Sequence, residues 1–338
     1  MTYFPALEDS GASQCKSCLT TVKKYSKHEI VFCTSHNIDK YDFDDFDIIH
    51  THNAIHEGFF KTKAKIIYNV HNFVLSCPMG GNVCLILNKF LKDPLTCLNC
   101  LGYLGIKTGG DNLKRSIKLA QRADLITVHS DYMKEYYHNY NPIVLPLSLE
   151  TDILTPCFEK EEYLFYTGRL SFEKNPQGFI DIVEKSGLKG KMVLYTLSLD
   201  IIGTERHFGD IINSVKNNKN IELILNPTIP EMIDLVKHAK FTVLPYFFAE
   251  PFGIAAANSV LCGTPLITFP YGNLRNMTHL LPKTLDEMVK MTKMDDKQYL
   301  YNLEETLRMG EELRNIHNPK NAIKIWDETY DNLIEKPT

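Results

Sequence analysis

Residues 244–268 read LPYFFAEPFGIAAANSVLCGTPLIT, and this stretch decides the fold. An apolar run ends in a loop that carries Glu250, a helix of small residues follows, and the Gly263-Thr264-Pro265 turn leads into a second apolar run. Pro251 fits a first helical turn, where the missing N–H costs nothing. Strand, loop, helix, turn and strand in this order predict a βαβ unit of a parallel sheet.

The same alternation continues towards both ends of the chain. The apolar runs are nearly free of polar residues, as in strands that are buried on both faces of a parallel sheet. We predict strands at residues 30–33, 48–50, 66–70, 125–128, 163–166, 191–195, 221–225, 241–244 and 266–268, and helices at 113–122, 176–185 and 229–239. The predicted fold class is therefore doubly wound α/β.

The length of 338 residues indicates two domains, at about 150 residues per domain. Two prolines and an acidic run interrupt the pattern between residues 142 and 160. We predict an N-terminal Rossmann-like domain at 1–152, a second at 153–310 and an amphipathic C-terminal helix at 311–338 that packs back across the domains. In open α/β sheets, a ligand binds at the carboxyl ends of the strands.

Composition excludes several classes of protein. The chain is 44% hydrophobic and 23% charged, which excludes a disordered chain. The net charge of -4 gives no global attraction to nucleic acid or anionic lipid, although a local basic face can still provide one. The sequence contains no apolar run of about 18 residues and no secretory signal, and nine cysteines are an odd number. We expect a cytoplasmic, reduced protein.

Two loops that follow predicted strands carry groups suited to a diphosphate. Residues 166–176 read YTGRLSFEKNP, in which Arg169 offers a planar fork of donors and Lys174 a point charge. In the second loop, Gly253 lets the backbone approach a ligand, and the amides of the next helical turn favour phosphate. Glu250 stands at the mouth of this loop, where its carboxylate can accept hydrogen bonds from sugar hydroxyls. Each loop alone also fits an ordinary cap or a solvated turn, in which Glu173 pairs with one of the cations.

Together the two loops resemble those of the family 4 glycosyltransferases, which are retaining enzymes of GT-B fold. The resemblance implies two Rossmann-like domains facing a central cleft, with a UDP- or GDP-sugar donor held mainly by the second domain and no catalytic metal. It also implies that Arg169 and Lys174 contact the donor diphosphate and that Glu250 contacts the transferred sugar. The donor-binding residues implied on the following segment are Phe252, Gly253, Ile254 and Asn258.

Asn258 departs from the family pattern. The family has a second glutamate at this position, which usually holds the ribose hydroxyls. An amide can still donate to and accept from a hydroxyl, but it carries no charge. The glycine-rich turn that the family usually has after the predicted strand at 191–195 is also missing.

The first half matches the family less closely. His71 ends a predicted buried strand, and by family analogy it contacts the donor sugar or orients the acceptor. His50 and His52 are expected to be structural. The segment around Gly11 resembles the first loop of the family, a glycine turn near the donor phosphates. The strand that normally precedes this loop is almost absent, so either residues 2–7 form a short edge strand or the sheet has one strand fewer.

A cysteine-rich segment follows the strand that His71 ends. Cys77, Cys84, Cys97 and Cys100 lie in an irregular stretch, and some members of the family carry a similar insertion. Four thiolates with a closing Cys-x-x-Cys predict a structural tetrahedral zinc site. The alternative is free thiols, with Cys77 and Cys84 in the core.

The resemblance implies a metal-independent hexosyl- or pentosyltransferase, with His71, Arg169, Lys174 and Glu250 in the catalytic site. The candidate acceptors are a glycan, a lipid-linked sugar and a modified DNA base. A basic set in the first half fits an anionic membrane or DNA, or simply solvated helix faces: Lys61, Lys63, Lys65, Lys107, Lys114, Arg115, Lys118 and Arg122. The alternative function is a catalytically degenerate protein that binds a nucleotide or a protein partner.

Overall fold

A computed structural model describes residues 2–4, 21–77, 109–195 and 205–335. The chain divides into two compact units. Unit 1 comprises Met1–Leu149 with Pro319–Thr338, and unit 2 comprises Glu150–Asn318.

Unit 1 is built on a parallel sheet. Its strands within the described residues are β1 (Thr2–Phe4), β2 (Phe32–Thr34), β3 (Ile48–His52), β4 (Lys65–Asn69), β5 (Leu125–Val128) and β6 (Ile143–Val144). Their order across the sheet is β2-β1-β3-β4-β5-β6. The start of the chain thus supplies a strand, but β1 lies between β2 and β3 rather than at the edge where the sequence suggested it.

The helices of this unit include α1 (Gly109–Arg122), α2 (Asp131–Tyr136) and α9 (Pro319–Glu335), and residues 21–25 are also helical. Helix α9 packs Trp326 and Tyr330 into one buried cluster with Ile48 and Ile67 of the sheet. The indole Nε1 of Trp326 donates to the carbonyl of Pro146 at 2.9 Å. The end of the chain therefore completes the core of the first unit.

Unit 2 has a second parallel sheet with the order β11-β10-β7-β8-β9. These strands are β7 (Glu161–Arg169), β8 (Lys189–Tyr195), β9 (Ile221–Leu225), β10 (Ala239–Leu244) and β11 (Leu266–Thr268). The helices are α3 (Pro176–Ser186), α4 (Glu205–Lys216), α5 (Ile229–His238), α6 (Ile254–Leu261), α7 (Leu285–Thr292) and α8 (Asp296–His317). Five consecutive residues of β7 are buried, as expected of a strand covered on both faces.

Local sequence explains where several of these helices begin. Thr228 and Glu231 form a capping box at the start of α5. Asn175 caps α3 in the left-handed conformation, with Pro176 in the first turn. Both signals place a helix directly after a loop at the carboxyl edge of the sheet.

The predicted domain limit at residue 310 falls inside α8, and the chain passes from unit 2 to unit 1 between Asn318 and Pro319. Gly310 lies mid-helix because α8 packs closely on α6. A Cβ at this position would lie 2.8 Å from the carbonyl oxygen of Val260. In the part of the chain that the structure describes, no helix has both the length and the apolar character that a bilayer-spanning segment needs.

Candidate functional site

Two loops of unit 2 are joined by hydrogen bonds at the carboxyl edge of the sheet. The first follows β7 and the second follows β10, its neighbour in the sheet. The amide of Phe247 donates to the carbonyl of Glu173 at 2.8 Å, and Asn175 Nδ2 donates to the carbonyl of Pro245 at 2.9 Å. These bonds fix residues 173–175 against residues 245–247.

Gly168 and Asn175 are the residues that shape the first loop. A Cβ at Gly168 would lie 3.2 Å from the hydroxyls of both Tyr166 and Tyr246, so this position favours glycine. Asn175 has φ 48° and accepts from the amide of Gly178 at 3.0 Å. The chain thereby reverses from β7 into α3, with Lys174 at the bend.

Lys174 is a nearly buried cation, with 9% of the residue exposed. Its Nζ donates to Glu250 Oε1 and lies 4.0 Å from the ring centroid of Tyr246 and 4.5 Å from that of Phe248. Burial lowers the pKa of Lys174 from its ordinary value, and the attraction of Glu250 offsets only part of that effect. The two side chains that the sequence assigned to diphosphate and sugar are thus in direct contact.

The backbone of Glu250 is held from a third segment. It bridges to Gly272, and the amide of Asn273 donates to the Glu250 carbonyl at 2.8 Å. Asn273 Nδ2 also donates to the carbonyl of Phe252 at 2.8 Å. The turn after β11 therefore fixes the loop that carries the carboxylate.

Helix α6 starts immediately after this loop. Gly253, with φ 94°, precedes its first residue, Ile254. The first amides of a helix have no partner inside the helix and carry its positive end, which suits an anion.

The ring of Phe252 packs edge-on against His317, with centroids 5.0 Å apart. Asn258, one turn into the helix, is 5% exposed.

Arg169 is the last residue of β7 and begins the first loop on its solvent-exposed side. About half of its side chain is exposed, and its Nη2 donates to Glu173 Oε1 at 3.2 Å. This is the pairing considered above as the alternative to a diphosphate contact. A surface pair of this kind contributes little to stability and is easily exchanged for another anion.

Four histidines of unit 1, namely His50, His52, His71 and His129, form a cluster at the carboxyl edge of its sheet. His52 Nδ1 and His71 Nε2 share a hydrogen bond of 2.8 Å, and the rings of His50 and His52 stack 4.4 Å apart. His129, which directly follows β5, packs edge-on against His71 at 4.6 Å. The sequence brought His71 to this edge but gave no reason to expect His129 beside it.

Burial keeps the imidazoles of His50, His52 and His71 neutral. It lowers the pKa of His50 from 6.5 to about 3, with a further contribution from His129. It also lowers the pKa values of His52 and His71 well below 6.5. At neutral pH these three imidazoles can donate and accept hydrogen bonds but carry no charge.

Several predicted site residues lie outside the described residues: Gly11, Cys84, Cys97 and Cys100. Cys77 is described and half-buried, and its amide donates to the carbonyl of Phe73 at 2.7 Å in the turn after β4. Within the described ranges, no group of three or more His, Cys, Asp or Glu side chains is arranged to hold a metal ion. The zinc site stays a prediction, which elemental analysis of the purified protein tests.

Sequence reasoning missed Tyr246, Phe248, Gly272 and Asn273. The two aromatic residues follow an apolar strand, and a run of this kind reads as core. The Tyr-Gly-Asn sequence at 271–273 was a usable signal, because Gly and Asn together favour tight turns.

Gly272 gives a direct test of how the Glu250 loop is held. A Cβ at this position would lie 2.4 Å from both the backbone nitrogen and the backbone oxygen of Glu250. We expect Gly272→Ala to lower the free energy of unfolding by more than about 2 kcal/mol, since a backbone clash adds to the strain of its positive φ. Urea unfolding measures the change.

Gly187→Ala is the matched control for that variant. Gly187 also has a positive φ, but a Cβ there meets nothing within 4 Å. We expect a loss of only about 1 kcal/mol from the strained conformation alone. Equal losses in the two variants would show that the contact with Glu250 is unimportant.

One protein-family model matches part of unit 2. Residues 155–279 match the model of the family described as glycosyl transferases group 1, and this range contains both Lys174 and Glu250. A search of curated proteins finds no match.

Solved structures match nearly the whole chain. HepE from Anabaena, in complex with UDP and glucose, superposes with a TM-score of 0.70 at 11% identity and covers 98% of both chains. Sucrose-phosphate synthase from Thermosynechococcus elongatus gives 0.64 at 14% identity, covering 86% of this chain and 74% of its own. Trehalose-6-phosphate from E. coli, bound with UDP-2-fluoro glucose, gives 0.59 at 11% identity, covering 96% and 78%. The fold is GT-B, as the sequence predicted, and the family match supports a glycosyltransferase.

Proposed function

We propose that the protein is a retaining glycosyltransferase that moves a sugar from a nucleoside diphosphate sugar to an acceptor hydroxyl. The observation that carries the proposal is the contact between Lys174 and Glu250, which two loops bring together from 76 residues apart. Helix α6 starts four residues after Glu250, so a cation, a carboxylate and helix-terminal amides occur in one region of unit 2.

The chemistry follows from the charge that develops on the departing diphosphate. Lys174, Arg169 and the first amides of α6 supply positive potential for that charge, which makes the diphosphate a better leaving group. Glu250 exchanges its bond with Lys174 for hydroxyls of the transferred sugar. The acceptor hydroxyl attacks the anomeric carbon of the sugar from the side of the leaving diphosphate. The departing diphosphate takes the proton of that hydroxyl, so no pair of catalytic carboxylates is needed.

His71 acts through hydrogen bonds in this scheme. His71 lies two residues after the end of β4, at the strand edge where open α/β sheets bind ligands. Because burial lowers its pKa well below 6.5, the ring is neutral at physiological pH and orients a hydroxyl without attracting the diphosphate.

A UDP-sugar is the first donor to test. HepE has been solved with UDP-glucose and the E. coli structure with UDP-2-fluoro glucose, which supports UDP for this chain by analogy of fold alone. Asn258 lies where the family has a glutamate, so its amide would bind the ribose without charge. A GDP-sugar therefore remains in the test set.

We propose that the surface of unit 1 binds the acceptor. Lys61, Lys63, Lys114 and Lys118 are exposed, whereas Arg115 and Arg122 pair with Glu57 and Asp124. The exposed lysines suit an acceptor attached to an anionic polymer or lipid. Acceptor binding that weakens steeply with salt would support this assignment, and binding that is indifferent to salt would point to a neutral glycan.

The decisive experiment is a thermal-shift screen of UDP- and GDP-sugars followed by a hydrolysis assay. A donor that binds only the native state raises the melting temperature as its concentration rises. Slow release of free sugar with the original anomeric configuration, measured by NMR, identifies a retaining enzyme. A shift without sugar release favours the nucleotide-binding alternative, and no shift with any donor contradicts both.

A further inference from the structure

Two aromatic rings lie against the ammonium group of Lys174. The ring centroids of Tyr246 and Phe248 are 4.0 Å and 4.5 Å from its Nζ, and the two rings are 6.2 Å apart with planes inclined by 32°. The face of an aromatic ring attracts a cation within about 6 Å. The site described above uses neither ring for the diphosphate or for the sugar.

Tyr246 is fixed from several directions. It is 1% exposed, its hydroxyl donates to the carbonyl of Thr167, and its ring packs edge-on against Tyr166. The hydroxyl of Tyr166 in turn donates to the carbonyl of Lys174 at 3.0 Å. Both the ring and the lysine backbone are thereby tied to β7, so the ring is a rigid wall beside the ammonium.

Phe248 provides the second aromatic ring beside the ammonium, from the loop after β10. It is half-buried and lies two residues before Glu250. Phe248 therefore belongs to the same loop as the carboxylate, and its ring lies against the cation. A substitution at this position is easier for the fold to tolerate than one at the fully buried Tyr246.

The two rings can stabilise the Lys174 ammonium when the Glu250 carboxylate no longer pairs with it. A nearly buried ammonium needs a counter-charge, and in this structure Glu250 provides it. A carboxylate repels an incoming diphosphate and must also turn to the sugar. Aromatic rings attract the cation, carry no net charge, and stay in place when the carboxylate changes partner.

We propose that Tyr246 and Phe248 are positioning residues, which hold the Lys174 ammonium in the orientation that receives the diphosphate of the donor. The inference rests on the proposed function, because it assumes that the partner of Lys174 is a nucleoside diphosphate sugar. It adds two residues that set donor affinity by acting through the lysine.

The first experiment needs no ligand. The reactivity of Lys174 towards acetic anhydride is measured across pH in wild type and in Phe248→Leu, and its midpoint reports the pKa of the amine. We expect the midpoint to fall by about half a unit or more, since leucine keeps water away but lacks the attraction of the ring. A rise would show that the ring only shields the amine from water and would overturn the proposal.

The second experiment is a double-mutant cycle with UDP as the probe. We expect Phe248→Leu to weaken UDP binding about five- to tenfold in the wild-type background and less than twofold in a Lys174→Met background. Equal losses in both backgrounds would show that the ring acts without the lysine, which contradicts the inference. Phe248→Tyr keeps an aromatic ring and should bind UDP about as tightly as wild type does.

Phe247→Leu is the matched control for loss of an aromatic side chain in the same loop. Phe247 stacks on Phe269 with centroids 6.2 Å apart and planes inclined by 13°. We expect it to leave the Lys174 midpoint unchanged. If wild type binds neither UDP nor a sugar nucleotide, the proposed function fails, and the assumed role in donor binding fails with it. The midpoint experiment still decides separately whether the rings control the ammonium.

Discussion

Lys174→Ala is expected to lower kcat/KM for the sugar nucleotide by about 10²- to 10³-fold while the protein remains folded. The ammonium is nearly buried, where its field on the developing diphosphate charge is screened much less than in water. Its loss also leaves the Glu250 carboxylate, which is 14% exposed, without its cation and facing the incoming phosphates. We therefore expect kcat and donor affinity to fall together in steady-state assays.

The control for that variant is another lysine in an ion pair. Lys185 Nζ lies 2.9 Å from Asp286 Oδ1, and both side chains are largely exposed. Lys185→Ala should leave kcat/KM within about twofold of wild type, because an exposed pair contributes little. For Arg169→Ala we expect a smaller loss than for Lys174→Ala, of about tenfold, since this side chain is half-exposed. Wild-type turnover in both Lys174→Ala and Arg169→Ala would refute the assignment of the donor site.

Much of the fold could be predicted because several of its strands are short apolar runs. Leu125–Val128, Ile221–Leu225 and Leu266–Thr268 have the predicted bounds, since each is a largely apolar run between polar or turn residues. The strand at Ile143–Val144 was missed because two residues beside prolines read as a linker. The central position of Thr2–Phe4 was missed because strand order is set by pairing with distant residues, which no local pattern contains.

The candidate site was predictable only where residue type implies chemistry. Lys174, Glu250 and Gly253 stand in loops after strands, and charge or backbone freedom there suggested a phosphate. Tyr246 and Phe248 gave no such signal, because whether an aromatic ring packs in a core or covers a cation depends on which loop lies opposite. The turn at Gly272 needed the neighbouring backbone to be known before its role in holding Glu250 was visible.

Unit 1 is expected to lose stability steeply as the pH falls below about 6.5. In the folded protein burial lowers the pKa of His50 to about 3, whereas the unfolded chain takes up the proton near 6.5. The unfolded state therefore binds more protons between these values, and stability present above pH 6.5 is lost on acidification. One such histidine changes stability by about 1.4 kcal/mol per pH unit between its two pKa values, and the lowered pKa values of His52 and His71 act in the same direction.

Trp326 reports this transition without interference from unit 2, since it is the single tryptophan of the chain and packs 5.0 Å from the ring of His50. Urea midpoints from its fluorescence should fall progressively between pH 7.5 and 4.5. His50→Asn should reduce the slope by about 1.4 kcal/mol per pH unit, because one buried imidazole no longer resists protonation. His36→Asn, at an exposed position, should leave the slope unchanged. A slope that stays the same in His50→Asn would mean that other groups cause the acid instability, because a neutral asparagine takes up no proton in either state.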